Sequence, residues 1–218
     1  MPLFYQQDIN ATTKLAIWQI EEQEVFFLAK VPLQSNITHP HKRLQHLAGR
    51  YLLRHLFSDF PNEEILIAST RKPFLPDEQY HFSISHCGDF AAAIVSKNER
   101  VGIDIELETP KIIKIAHKFL NNNEQLLVDN WRLTISPAAI NYQLPTLFWS
   151  AKETVFKWWG YGEVDFKEHI HLFATELSEK SILKSSFNKI SPIQNLNINY
   201  QFFNDLCLTF THNNYVKV

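Results

Sequence analysis

Val101-Gly102-Ile103-Asp104-Ile105-Glu106-Leu107 is the stretch from which the rest of the chain can be read. Every odd position is apolar, and successive side chains of a strand point to opposite faces. Val101, Ile103, Ile105 and Leu107 therefore share a buried face, and Gly102, Asp104 and Glu106 share the other. The two carboxylates sit about 6.6 Å apart at Cα, and at an effective dielectric of about 20 the ionised pair repels by roughly 2 to 3 kcal/mol. A divalent cation removes that repulsion, and carboxylate oxygens suit a hard ion such as Mg²⁺. An ordinary half-exposed strand has the same pattern, so the assignment needs support from elsewhere in the chain.

Upstream, Tyr80 to Ser85 and Phe90 to Val95 are short strand-like runs separated by Cys87-Gly88-Asp89. With Lys97-Asn98-Glu99 leading into the run at Val101, they read as a β-meander. His39-Pro40 opens a helix to about Phe57, with Leu44, Leu47, Ala48, Tyr51 and Leu52 on one arc. Arg43, Arg50 and Arg54 fall near a common line beside that arc, which is either a solvated face or an anion site. Residues 15 to 30 read as strands around a turn at Glu21-Glu22-Gln23-Glu24, with Val25-Phe26-Phe27-Leu28 the apolar part.

Downstream, Pro110 starts a helix with Ile112, Ile113, Ala116, Phe119 and Leu120 inside. Asn123 is the expected cap of a further helix carrying Glu124. A loop containing Pro137 and Pro145 leads to the helix Phe148–Trp159, ended by Gly160. From Asp165 onward the pattern is that of a second antiparallel sheet. The expectation is an α+β fold in two halves, 1–100 and 101–218, meeting near residue 100.

At 218 residues and 45% hydrophobic content the chain can build its own core without staples. Its 21 basic and 23 acidic residues give 21 − 23 = −2, so no global field recruits nucleic acid or an anionic membrane. Cys87 and Cys207 are too few for a disulfide framework, and neither a leader nor a membrane-length apolar run is visible. The compartment expected is the cytoplasm. Of five glycines, Gly88, Gly102, Gly160 and Gly162 flank the segments that carry chemistry.

Glu153 and Lys157 are four residues apart on one helical face, with Lys152 alongside. Alone they would be a surface ion pair, but Phe148, Trp149, Phe156, Trp158 and Trp159 leave such a short helix few solvated faces. Ser85-His86 ends a strand just before a glycine turn, where the imidazole can donate to a phosphate or serve the turn.

Taken in order, Ser83-Ile84-Ser85-His86, the Val101–Glu106 strand and Trp149-Ser150-Ala151-Lys152-Glu153 with Lys157 resemble the signature of the 4′-phosphopantetheinyl transferases, in their larger surfactin-synthetase-activating type. The resemblance implies two similar α/β halves related by a pseudo-twofold axis, with the active site in the cleft between them. It implies Mg²⁺-dependent transfer of the phosphopantetheine arm of coenzyme A to a serine of an acyl or peptidyl carrier protein, releasing adenosine 3′,5′-bisphosphate, with Mn²⁺ an acceptable substitute. By motif, Asp104, Glu106 and Glu153 would hold the metal. Ser85, His86, Lys152 and Lys157 would contact the cofactor and its phosphates. Lys72 would face the 3′-phosphate with Arg43 and Arg50 as companions, and Glu124 would be the general base. Catalysis would rest on Glu153, Lys157, Glu124 and His86, in a monomer. Lys111, Lys114 and Lys118 would rim a surface for an acidic carrier. Cys87 departs from the small hydroxyl residue expected after the histidine. A silent coenzyme A-binding module of the same fold is the competing expectation.

Overall fold

The computed structural model describes residues 2–33, 37–134, 142–173 and 178–213, with the backbone alone for 132–134. Its first elements are β1 (Leu3–Asp8), β2 (Thr13–Gln19), α1 (Glu24–Leu28), α2 (Pro40–Leu56), β3 (Leu66–Ile67) and β4 (Pro73–Phe74). Next come β5 (His81–Cys87), β6 (Phe90–Ser96), β7 (Arg100–Leu107), α3 (Lys111–Phe119), α4 (Asn122–Thr134) and α5 (Gln143–Trp159). The chain closes with β8 (Ile170–Phe173), β9 (Lys180–Phe187), β10 (Gln194–Phe203) and β11 (Leu206–Asn213).

Two larger sheets result, ordered β1-β2-β6-β5 and β7-β11-β10-β9-β8, and β3 pairs with β4. Strand alternation gives each large sheet two apolar faces. Ala16, Trp18, Ala91, Ala93 and Val95 pack with Leu47, Ala48, Leu52 and Leu53 of α2. Leu15, Ile17, Ala92 and Ile94 on the other face meet Ile103, Ile105, Leu208 and Phe210 of the second sheet. That sheet's outer face carries α5 through Phe148, Ala151, Val155 and Trp158. The layering is helix, sheet, sheet, helix.

The edge strands β5 and β7 meet between the layers without a backbone ladder. Ser83 Oγ, Ser85 Oγ and Cys87 Sγ instead accept the N–H groups of Ile103, Ile105 and Leu107 at 3.2, 3.3 and 3.3 Å. Both periods are two residues, so each alternate side chain of β5 reaches the next available amide of β7. Each such bond is worth about 1 kcal/mol net, and the set fixes how far one strand can slide along the other.

Several expectations are corrected. The meander stops after the β5–β6 hairpin, whose tight turn uses Gly88 at φ +53°. Both neighbours of β6 are already β2 and β5, so the next strand crosses to the other sheet and pairs with β11. Val25–Leu28 lies in a short helix, not a strand: Phe26 and Phe27 both reach the Tyr51 ring, at 5.7 and 5.9 Å, and consecutive strand residues would point apart. Asn121, not Asn123, caps α4, its side chain accepting from Glu124 N while Glu124 accepts from Asn121 N, both at 3.0 Å. Helix α5 begins at Gln143, so Pro145 lies in its first turn, where the missing N–H costs little. Pro137 lies outside the described residues.

Candidate functional site

The site is built where α5 lies on the outer face of β7. A Cβ at Gly102 would sit 2.2 Å from the Thr154 carbonyl oxygen and 2.9 Å from Trp158 N, so only glycine lets the helix approach this closely. Beyond Gly102 the same face presents Asp104 and Glu106, and α5 answers with Lys157, Glu153 and Trp149, spaced four residues apart. Lys157 Nζ donates to Asp104 Oδ1 at 2.6 Å and to Ser85 Oγ at 2.8 Å. The Ser85 hydroxyl donates to the same Asp104 oxygen at 2.7 Å. Glu106 is held from two sides, by Trp149 Nε1 on Oε1 at 3.0 Å and by Cys87 Sγ on Oε2 at 3.4 Å.

Electrostatics mark this as an acidic knot. Burial, then the Asp104 charge, lifts Glu153 to about 7 against the pull of Lys157. The same two causes, in the same order, raise Glu106. Burial, then Glu106, pushes the Cys87 thiol up to about 12, so it remains a hydrogen donor and not a nucleophile. Asp104 is 3% exposed, and its Oδ2 is buried without a hydrogen-bond partner.

The all-oxygen donor set and the open half of Asp104 fit a hard divalent cation. The ligands are not drawn to one point, however. Among the described residues, no group of three or more His, Cys, Asp and Glu side chains is arranged to hold a metal ion.

A basic cluster faces the knot across β5. Burial lowers His86, with Lys157 and Lys42 adding to the effect, and lowers His46 to about 4, with Arg50 and His86 adding there. Arg50, 5% exposed, is lowered to about 10 by burial. The arginine line foreseen on α2 divides. Arg43 turns to Glu24, its Nη2 2.5 and 2.6 Å from the two carboxylate oxygens, and Arg54 turns to Glu63 at 2.8 Å. Only Arg50 stays with His46 and His86. His46 and Lys42 were missed, although 46 and 50 are one helical turn apart and could have been paired from spacing.

Lys72 donates to the Lys157 carbonyl at 2.8 Å and so closes the end of α5. Burial, then Arg100, lowers it to about 8. Gly160, at φ +74°, leaves room for this side chain, since a Cβ there would lie 2.4 Å from Lys72 Cδ. Cavities of about 440 and 280 Å³ flank Lys72, and the smaller reaches Lys157 past Phe82, Ser83 and Phe156.

Two expected site residues lie elsewhere. Lys152 is 0% exposed, and its ammonium donates to Glu124 Oε2, Phe166 O and Ile170 O at 2.7, 2.7 and 2.8 Å. Glu124 accepts in addition from Asn121 N at 3.0 Å and Leu172 N at 2.9 Å. All three ammonium hydrogens of Lys152 and both carboxylate oxygens of Glu124 are engaged inside the fold, so the structure places this pair apart from the knot. Consecutive helical residues are turned by about 100°, so Lys152 cannot share the face of Glu153.

A family model described as the 4′-phosphopantetheinyl transferase superfamily matches residues 100–211, and one described as the 4′-phosphopantetheinyl transferase N-terminal domain matches residues 34–96. The 4′-phosphopantetheinyl transferase gsp of Aneurinibacillus migulanus is 37% identical over 120 residues, 53% of this chain and 46% of that protein. Enterobactin synthase component D of Salmonella austin is 33% identical over 118 residues, 53% of this chain and 47% of that protein. The AcpT 4′-phosphopantetheinyl transferase of Escherichia coli K12 is 41% identical over 71 residues, 32% of this chain and 35% of that protein. The chain thus spans about half the length, or less, of these curated relatives.

Proposed function

The chain belongs to the 4′-phosphopantetheinyl transferase superfamily, and from that premise we propose that it moves the phosphopantetheine arm of coenzyme A onto a serine hydroxyl of an acyl or peptidyl carrier protein, releasing adenosine 3′,5′-bisphosphate. The observation that carries the reading is the Asp104–Ser85–Lys157 knot, flanked by two glutamates with raised proton affinity and faced by a basic cluster. Phosphoryl transfer asks a protein mainly for positioning and for compensation of spreading negative charge.

Asp104, Glu106 and Glu153 would hold Mg²⁺ or Mn²⁺, which when bound polarises a phosphoryl oxygen and offsets charge on the leaving group. His86, His46 and Arg50 receive the phosphates on one side. Lys157 meets them on the other, its ammonium within reach of both Ser85 and Asp104. Phe82 and Phe156 give the cavity beside Lys157 apolar walls. The proton of the carrier serine leaves to an acceptor beside the knot, whereas Glu124 is engaged with Lys152.

The halves 1–100 and 101–218 are read as similar units around a cleft. Support comes from a 17-residue helix on the outer face of each sheet, and from family matches that end at 96 and resume at 100. The exposed Lys111, Lys114 and Lys118 of α3 are read as the face for an acidic carrier, because Phe119 of the same helix packs 5.1 Å from Trp149, which holds Glu106. No helix among the described residues is long and apolar enough to cross a membrane. Free cysteines fit a cytoplasmic setting. Incubation with coenzyme A, Mg²⁺ and an apo carrier, followed by intact mass, tests the reading. Gain of the phosphopantetheine mass supports it, while metal-dependent coenzyme A binding without modification overturns it in favour of a silent module.

A further inference from the structure

Strand β5 repeats one device along its length. Ser85 Oγ accepts the Ile105 N–H at 3.3 Å and donates to the carboxylate of the preceding residue, Asp104, at 2.7 Å. Two residues on, Cys87 Sγ accepts the Leu107 N–H at 3.3 Å and donates to the carboxylate of the preceding residue, Glu106, at 3.4 Å. Two residues back, Ser83 Oγ accepts the Ile103 N–H at 3.2 Å, but the preceding residue is Gly102 and has no carboxylate to aim. Strand β5 therefore carries two complete copies of the device and one that only bridges the strands.

We propose that Cys87 is a positioning residue that aims Glu106 at the metal as Ser85 aims Asp104, the thiol doing for one carboxylate what the serine hydroxyl does for the other. The inference rests on the transferase reading only for what the metal is used for. A carboxylate on a strand edge can rotate about its side-chain torsions. Here Oε1 is fixed from α5 by Trp149 and Oε2 from β5 by Cys87, one donor from each half of the chain. Removing one donor frees the carboxylate plane, and loss of such an outer partner typically weakens metal binding by about 10- to 100-fold. A hydroxyl can replace the thiol because both donate one hydrogen and accept on the same atom.

The test is Mn²⁺ titration by electron paramagnetic resonance on the full chain, with thermal melting in parallel, for Cys87→Ala, Cys87→Ser and Ser83→Ala. Cys87→Ala should weaken Mn²⁺ binding about tenfold or more. Cys87→Ser should stay within about threefold of the parent. Ser83→Ala should lower the melting temperature without changing Mn²⁺ affinity. Unchanged Mn²⁺ binding in Cys87→Ala overturns the inference, and so does a Cys87→Ser variant as weak as Cys87→Ala. A parent that binds no Mn²⁺ overturns it together with the metal-ligand assignment. The carrier assay separates the readings: the expected Mn²⁺ pattern without carrier modification leaves the inference standing and removes the transferase function, and a flat pattern with modification does the reverse.

Discussion

Helix α5 carries two lysines five residues apart, each paired with a carboxylate at nearly the same distance, 2.7 Å for Lys152–Glu124 and 2.6 Å for Lys157–Asp104. They differ in what else they touch. In the first pair the side chains are 0% and 1% exposed, and all three ammonium hydrogens and both carboxylate oxygens are engaged, tying α5 to β8 and to the start of α4. In the second the lysine is 24% exposed, and one carboxylate oxygen is buried with no partner. A sealed pair with both oxygens and the ammonium engaged offers a ligand little, whereas a buried oxygen without a partner gains on binding what it lacks at rest. Ion-pair distance does not separate structure from site here. The completeness of hydrogen bonding does.

The sharpest way to break that contrast is to remove one partner from each pair. Asp104→Ala should abolish carrier modification while the chain still folds, because it removes a site charge and not core packing; an active variant, by intact mass, would take Asp104 out of the site. Lys152→Ala leaves a buried carboxylate and two carbonyls without their donor and should cost about 3 to 5 kcal/mol. Urea unfolding reads that loss, and a variant as stable as the parent would refute the structural role.

A smaller effect is expected with pH. The ordinary carboxyl value of Glu153 is 4.5 and its folded value about 7, so between these limits the folded state binds a proton that the unfolded state has released. The contribution of this group to stability is therefore least unfavourable below about 4.5 and declines as pH rises towards 7. In metal-free buffer Glu153→Gln should match the parent near the acid limit and exceed it at neutral pH and above. Equal stability of parent and variant across that range would mean that the carboxyl ionises normally.

Smaller again are the effects around the margin of the knot. Lys72→Met should mainly raise the Michaelis constant for coenzyme A and largely spare 3′-dephospho-coenzyme A, with a modest loss of stability from the opened end of α5; equal losses on both substrates would reject the 3′-phosphate contact. Arg43→Ala should leave both Michaelis constants unchanged and cost at most about 1 kcal/mol, since its half-exposed pair with Glu24 holds α1 to α2.

Much of the knot was legible in the sequence because it depends on short-range periodicities. Alternation put Gly102, Asp104 and Glu106 on one strand face, and the helical repeat put Glu153 and Lys157 on one helix face. Aromatic density around Trp149 was visible as well, but not that its indole would bond Glu106. The failures share a cause. Lys152 and Glu124 looked like site residues because they neighbour Glu153 or open a helix, and proximity in sequence says nothing about which way a helical side chain turns relative to a distant strand. The Arg43 pairing was hidden for a related reason, because its partner Glu24 was read as the end of a turn between strands and instead opens α1.

The sequence by itself determined which faces are apolar, where glycine admits close approach, and that acidic and basic groups recur at strand and helix spacing, because each of these follows from backbone geometry over a few residues. Only the tertiary structure decided which lysine is sealed and which is open, that β7 leaves its neighbours for the second sheet, and that Ser85 and Cys87 steer carboxylates about twenty residues away. Those outcomes depend on which hydrogen-bonding groups remain unsatisfied once every layer is packed, and that can be counted only in the assembled molecule.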